Sequence, residues 1–206
     1  MTNEDDAPAG LWTQHSVEET QKIYADWADT YDQDVAKWGY ATPGRIALAL
    51  RLSGANPDKP TLDFGCGTGL SGLALKAAGF AQIDGTDISP EMLEKAEAHG
   101  IYQHLWLSEP GQMGHVKRGD YPIIVATGVI SLGAAPPETL DMLLDVLPSG
   151  GHLAFSYNEA TMSERSYTDK LDVAVLARDI ELVFEEEGPH LPAKNMSSVV
   201  YILKRT

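Results

Sequence analysis

Three glycines and two carboxylates carry the chemistry legible in this chain. Thr61-Leu62-Asp63-Phe64-Gly65-Cys66-Gly67-Thr68-Gly69 reads as a short strand that ends abruptly in a glycine-rich turn, with a helix starting just after. Glycine at Gly65, Gly67 and Gly69 leaves no Cβ in the way of a ligand and permits backbone angles that other residues avoid. The backbone N–H groups of the turn are expected to face a small molecule across the carboxyl end of a sheet, where open α/β folds bind ligands. Asp87 follows about 20 residues on, at the end of a second strand, where an acidic side chain can take both hydroxyls of a ribose.

Two kinds of cofactor could use such a turn. Gly67-Thr68-Gly69-Leu70-Ser71-Gly72 fits G-x-G-x-x-G, so a nicotinamide dinucleotide and an oxidoreductase are one reading. That fingerprint wants its first glycine directly after the strand, so that a pyrophosphate reaches the helix N-terminus. Here Gly65 and Cys66 intervene, and Asp63 puts a negative group at the strand end. A carboxylate there repels a pyrophosphate and suits a ligand with a cationic or ammonium group.

The string Leu62-Asp63-Phe64-Gly65-Cys66-Gly67-Thr68-Gly69 resembles the first motif of class I S-adenosylmethionine-dependent methyltransferases. S-Adenosylmethionine carries a sulfonium and an amino group and no phosphate, which agrees with the charge at Asp63. The resemblance implies a Rossmann-like, doubly wound α/β fold: a seven-stranded sheet, mostly parallel, with an antiparallel strand near the C-terminus. It implies that Asp63, Gly65, Cys66, Gly67 and Gly69 form the cofactor turn and that Asp87 holds the ribose. Ile88 then lies where the family packs the adenine, with Met92 one helical turn on. Ser108 occupies the loop that recognises the adenine edge, where many relatives carry Asp or Asn. The segment Tyr24-Ala25-Asp26-Trp27-Ala28-Asp29-Thr30-Tyr31-Asp32, followed by Gly39-Tyr40, resembles the helical lid of small-molecule methyltransferases. There a tyrosine, Tyr24 or Tyr31 here, approaches the methionine half, and its ring face attracts a sulfonium. The run Gly100-Ile101-Tyr102-Gln103-His104-Leu105 resembles the methyltransferase-like proteins named for the Williams–Beuren syndrome region.

Composition bounds the partners. A chain of 206 residues, 43% of them hydrophobic, can bury the core of one domain. We expect a disordered tail over residues 1–10 and a single domain over 11–206, with 11–42 as the lid. The formal net charge of −15 argues against nucleic acid and against an anionic membrane surface. Cys66 is the single cysteine, so no internal disulfide can form, and a reducing cytosol is the expected compartment. Met1 to Gly10 is acidic without an apolar centre, unlike a secretory signal. No apolar run approaches the length of a membrane span.

The positioning elements follow from periodicity. Ser16 and Glu19 form a capping box for a helix to about Trp38, with a break near Tyr31-Asp32. Further helices are expected over Pro43–Leu52, Gly69–Ala78, Pro90–His99, Pro137–Leu147 and Ser163–Ala177. Strands are expected over Ala81–Thr86, Ile101–Leu107, Tyr121–Thr127 and His152–Tyr157. Thr127 would then lie beside the cofactor turn. Pro148-Ser149-Gly150-Gly151 resembles the family's turn before the fifth strand. Ile180–Glu187 and Ser198–Lys204 read as a closing hairpin, with Gly188–Ser197 a loop bordering the pocket.

The reaction implied is attack by a small-molecule acceptor on the sulfonium methyl, with no nucleic acid or membrane partner. No residue pattern marks a dedicated base, and a non-catalytic cofactor-binding protein is the third reading. The six histidines are scattered; His104 and His152 fall on strands, and His190 in a loop that can reach the pocket. No paired Cys/His or H-E-x-x-H spacing marks a metal site. Cys66 reads as a small residue that fits the turn.

Overall fold

The computed structural model describes residues 7, 8, 11, 13–177 and 179–206. The expectation for the first ten residues falls mostly outside that set. Within it, Ala7 packs against the aromatic cluster of the N-terminal helices.

Seven strands form one sheet in the order β3-β2-β1-β4-β5-β7-β6. β1 (Thr61–Phe64), β2 (Ile83–Asp87), β3 (Leu105–Leu107), β4 (Ile123–Ala126) and β5 (His152–Asn158) run parallel. β7 (Met196–Arg205) lies antiparallel to β5, and β6 (Ile180–Leu191) pairs antiparallel with β7 at the edge. The chain starts at β1, winds out to β3 and returns to β4 on the other side of β1. That reversal opens a crevice at the carboxyl ends of β1 and β4, the place where doubly wound sheets take ligands.

Alternation along the strands feeds a core on each face. Leu62, Ile124, Leu153 and Phe155 pack with Leu140, Leu143 and Leu144 of α6 (Glu138–Val146) and Leu171 of α8 (Arg165–Ala177). Ile83, Ile123, Val125 and Ile202 pack with Ile46 and Leu50 of α3 (Thr42–Leu52) and Leu75 of α4 (Leu70–Ala77). Strands covered on both faces are expected to be apolar throughout, and β4 is buried at all four positions.

The N-terminal helix divides into α1 (Val17–Trp27) and α2 (Tyr31–Trp38), with the break just before Tyr31. Ser16 and Glu19 form the expected capping box. Trp27, Val35, Trp38 and Leu191 bury a small separate core, and Tyr24 and Tyr31 pack on it. The Trp27 indole N–H donates to Asp34 at 2.9 Å, so the buried ring keeps its polar atom satisfied. α5 spans Pro90–Ala98, and a short α7, Glu159–Met162, precedes α8.

Two expectations fail. The third strand shortens to Leu105–Leu107, although Gln103 and His104 still bond to β2 and the Tyr102 side chain reaches over to β1. The loop expected over Gly188–Ser197 is mostly strand: β6 continues to Leu191, and a single 3-10 turn, Pro192–Lys194, leads into β7. As an edge strand, β6 tolerates Pro189 at a register shift. Arg45 of α3 pins this end of the hairpin by donating to the carbonyls of Glu186, Pro189 and Ser198. Gly188 makes room for it, since a Cβ there would lie 2.8 Å from the guanidinium carbon.

Tyr102 explains the sequence around β1. Its hydroxyl donates to Asp63 Oδ2 at 2.7 Å, and Ser71 Oγ donates to the same oxygen at 2.6 Å. The ring crosses Gly72 and Gly85; a Cβ on Gly72 would collide with the hydroxyl, and one on Gly85 would come within 2.9 Å of the ring. A buried carboxylate loses much when a donor is removed. Tyr102→Phe is therefore expected to lower stability by about 1–3 kcal/mol, read as a lower urea midpoint at unchanged slope. An unchanged midpoint would mean that Ser71 alone satisfies Asp63.

Candidate functional site

The turn after β1 is shaped by close approach. Gly65, Gly67 and Gly69 all have positive φ. A Cβ at Gly65 would lie 2.5 Å from Val129 Cγ2, whereas one at Gly67 would point into open space. Gly65 is glycine to let the loop after β4 approach, and Gly67 leaves space for something else.

The N–H groups of this turn are mostly engaged. Cys66 N–H donates to the Thr86 carbonyl, Gly69 N–H to the Cys66 carbonyl, and Gly67 N–H to Asp87 Oδ2 at 2.8 Å. The expectation that the turn's N–H groups face a ligand is therefore wrong for these three residues. The ribose-binding candidate supplies the brace: Asp87 Oδ1 also accepts from Ser89 N–H at 2.9 Å, while Ser89 Oγ caps α5 by accepting from Met92 N–H. These backbone contacts still leave acceptor capacity on the Asp87 carboxylate. Burial raises the Asp87 pKa from the ordinary carboxylate value. Asp63, fully buried, is pushed up to about 6, first by burial and then by the nearby Asp87, against the lowering from Ser71 and Tyr102. One buried and one half-buried carboxylate around a turn with spent donors form a poor seat for a diphosphate.

A cavity of about 370 Å³ opens beside this turn. Tyr24, Tyr31, Gly65, Gly67, Asp87, Ile88, Met92, Ser108 and Thr127 all line it. Cys66 instead lines an adjoining recess of about 40 Å³, together with Tyr31, Tyr40 and Thr127. Asp63 and Gly69 line neither; Asp63 lies beneath the turn, and Gly69 packs near His99 and caps α4. Thr127 Oγ1 is buried without a hydrogen-bond partner. Burial, with Asp63 and Asp87 nearby, raises the Cys66 thiol well above its usual pKa, so the sulfur is a protonated filler.

The two N-terminal helices roof the cavity. Gln21 donates to the Ile88 carbonyl, Thr20 to the Gly133 carbonyl, and Thr68 to Asp32. The roof is thus tied to loops on both sides of the crevice. Burial pushes the Tyr24 phenol up to about 12 and also raises Tyr31 and Tyr40, so all three stay neutral.

These features coincide with a family pattern over most of the chain. The profile of the methyltransferase-domain family matches residues 38–193. The chain belongs to the class I S-adenosylmethionine-dependent methyltransferases. Methyltransferase-like protein 27 of Homo sapiens is 40% identical to this methyltransferase domain over 133 residues, 62% of this chain and 54% of that protein. Ribosomal protein L11 methyltransferase of Serratia proteamaculans (strain 568) is 30% identical over 173 residues, 75% of this chain and 57% of that protein. The chain spans about half the length of the curated relatives it matches. Among solved structures, magnesium protoporphyrin IX methyltransferase from Synechocystis PCC 6803 with bound SAM shares the fold at TM-score 0.64 and 17% identity, over 91% of this chain and 97% of that one. The ribosomal protein L11 methylase of Lactobacillus delbrueckii subsp. bulgaricus does so at 0.58 and 18%, over 78% and 77%.

The methyltransferase cavity has walls that carried little sequence signal. Ser156 and Asn158 close β5, and Tyr40 follows α2 with its hydroxyl near Gly128. His190 also lines it, from the strand that was expected to be a loop. His190 Nδ1 lies 2.8 Å from Thr42 Oγ1. Burial, reinforced by the Arg45 charge, lowers its pKa to about 4. A histidine depressed from 6.5 to about 4 contributes stability that is complete above pH 6.5 and is lost as pH falls toward 4. Between pH 7 and pH 4, the wild type is expected to lose on the order of 3 kcal/mol relative to His190→Gln in denaturant titrations. A constant difference between the two proteins across that range would contradict the buried neutral state.

Proposed function

We propose that the domain transfers the methyl group of S-adenosylmethionine to a small-molecule acceptor by direct displacement. The observation that carries this reading is the roofed cavity, which runs from Gly67 and Asp87 beneath α1 and α2 to the ends of β4, β5 and β6. Its walls are mainly apolar and aromatic, with few polar groups, as small-molecule sites are. S-Adenosylmethionine, when bound, supplies an activated methyl group on a good leaving group.

The chain's own residues supply grip and alignment. Asp87 accepts the ribose hydroxyls with the lone pairs left by Gly67 and Ser89. Ile88 and Met92 flank the adenine, and Ser108 meets its edge. Gly67 admits the ligand backbone, and Thr127 Oγ1 gains the partner it otherwise lacks. The Tyr24 and Tyr31 rings face the methionine half, where a cation–π contact contributes about 0.5–2 kcal/mol. Asp63 acts from below through its negative field, and Cys66 and Gly69 shape the turn. Holding acceptor and methyl in line is worth roughly 7–11 kcal/mol of barrier, enough that a strong general base is not required.

The nicotinamide reading has little support once the Thr86 carbonyl, the Asp87 carboxylate and the Cys66 carbonyl take the Cys66, Gly67 and Gly69 N–H groups. A protein acceptor is a second reading: the relatives named as L11 methyltransferases act on a protein, and a net charge of −15 would draw a basic one. The helical roof over the cavity favours a small acceptor. The single thiol, unpaired and protonated, goes with a cytosolic setting.

Asp87→Ala is expected to weaken S-adenosylhomocysteine binding by about 1–3 kcal/mol in calorimetry. Unchanged affinity would remove Asp87 from the site. Methyl transfer from labelled cofactor to a panel of small acids, phenols and amines, with none to basic proteins, is the accompanying expectation. Transfer to protein alone would favour the second reading, and tight binding without transfer would favour a non-catalytic role.

A further inference from the structure

A chain of hydrogen bonds runs through the base of the closing hairpin and ends at the cavity wall. Arg45 Nη1 donates to Ser198 Oγ at 3.0 Å. Ser198 Oγ lies 3.1 Å from Thr42 Oγ1, and Thr42 Oγ1 lies 2.8 Å from His190 Nδ1. Thr42 and Ser198 are buried, and among the described residues neither hydroxyl has another hydrogen-bond partner.

The direction of the protons follows from counting. Arg45 has only donors, so toward Nη1, which shares its two N–H groups among Ser198 Oγ and the carbonyls of Pro189 and Ser198, Ser198 Oγ can only accept. The Ser198 proton then has one place to go, Thr42 Oγ1. Thr42, having accepted, passes its own proton to His190 Nδ1. The opposite direction would strand the Ser198 hydroxyl proton in the interior, which proteins seldom tolerate. It would also turn two hydroxyl dipoles against the guanidinium charge. Nδ1 is therefore bare, and the neutral ring carries its proton on Nε2. His190 lines the cavity, and among the described residues Nε2 has no hydrogen-bond partner.

Resting on the methyl-transfer reading, we propose that His190 is the acceptor-orienting residue and that the acceptor is a small-molecule carboxylate, one oxygen held by the His190 Nε2–H. A histidine fixed as a donor cannot remove a proton from the acceptor. The cavity's carboxylates, Asp87 and Glu109, belong to the strand ends and loops of β2 and β3, across β1 from β6 in the sheet. Tyr24, Tyr31 and Tyr40 are protonated. An acceptor already ionised at neutral pH needs no base, and a carboxylate also prefers an N–H donor polarised by a distant guanidinium. In the step, a carboxylate oxygen forms a bond to the methyl carbon as the carbon–sulfur bond breaks. The bonding pair goes to sulfur, cancelling its positive charge, and the products are a methyl ester and S-adenosylhomocysteine. No proton is released.

The test uses the whole chain with ¹⁵N-labelled histidine. Long-range imidazole NMR spectra at neutral pH, without ligand, are expected to give His190 as the Nε2–H form. Thr42→Val is expected to erode that preference. Benzoate and benzyl alcohol then serve as matched probes in the presence of saturating S-adenosylhomocysteine. Benzoate should shift the His190 Nε2 signal and bind about tenfold more tightly than the alcohol. His190→Phe should abolish the difference while S-adenosylhomocysteine still binds. An Nδ1–H ring in the wild type, equal affinity for the two probes, or binding of neither overturns the proposal. The tautomer is read without cofactor, and binding of S-adenosylhomocysteine is titrated separately, so a failure of the underlying methyl-transfer reading is recognised as such.

Discussion

The structure depends on two carboxylates set around one turn, Asp63 buried and Asp87 half-buried. Asp63 is held from below by Ser71 and Tyr102, and Asp87 holds the turn from the side through Gly67 N–H. Burying such groups is costly unless they are hydrogen-bonded, so each carboxylate dictates its surroundings. Tyr102 must cross Gly72 and Gly85, and Ser89 must present its N–H at the start of α5. Both cores and the strand order serve to keep β1 and β2 in register so that these contacts can form. The consequence is a ligand seat with negative character in which the Cys66, Gly67 and Gly69 N–H donors are already used.

The second constraint comes from the roof. α1 and α2 share an aromatic core with Leu191 of β6 and meet the rest of the chain through polar ties at Gln21, Thr20, Asp29 and Asp32. Single hydrogen bonds contribute about 0.5–1.5 kcal/mol each. The far wall is stiffer. There Arg45 binds three carbonyls of the hairpin, and the same guanidinium feeds the hydroxyl chain to His190.

Much of this was legible in the sequence where local chemistry repeats. The string from Leu62 to Gly69 announced the strand, turn and helix, and the elements from β1 to β5 followed the expected order. The residues anticipated for the pocket gather around one cavity, apart from Asp63 and Gly69, which support the turn, and Cys66, which lies in the adjoining recess. The misses have a common cause. The Tyr102 side chain, just ahead of β3, reaches a carboxylate on β1, and the β6–β7 hairpin is pinned by Arg45 of α3. Both are contacts between segments distant in the chain, which periodicity does not encode. His190 was expected to reach the pocket and does, but from a strand: a prolyl stretch reads as a loop until a distant arginine is seen to hold it.

The central claim is that the braced turn takes a sulfonium nucleoside and not a diphosphate. A crystal structure of the chain with S-adenosylhomocysteine tests it most directly. The ribose hydroxyls should lie within hydrogen-bonding distance of the Asp87 carboxylate, with the sulfur beside Gly67 and under the Tyr24 and Tyr31 rings. A ligand bound away from Gly67 and Asp87, or Gly67 N–H released from Asp87 to hold an anionic group, would contradict the account.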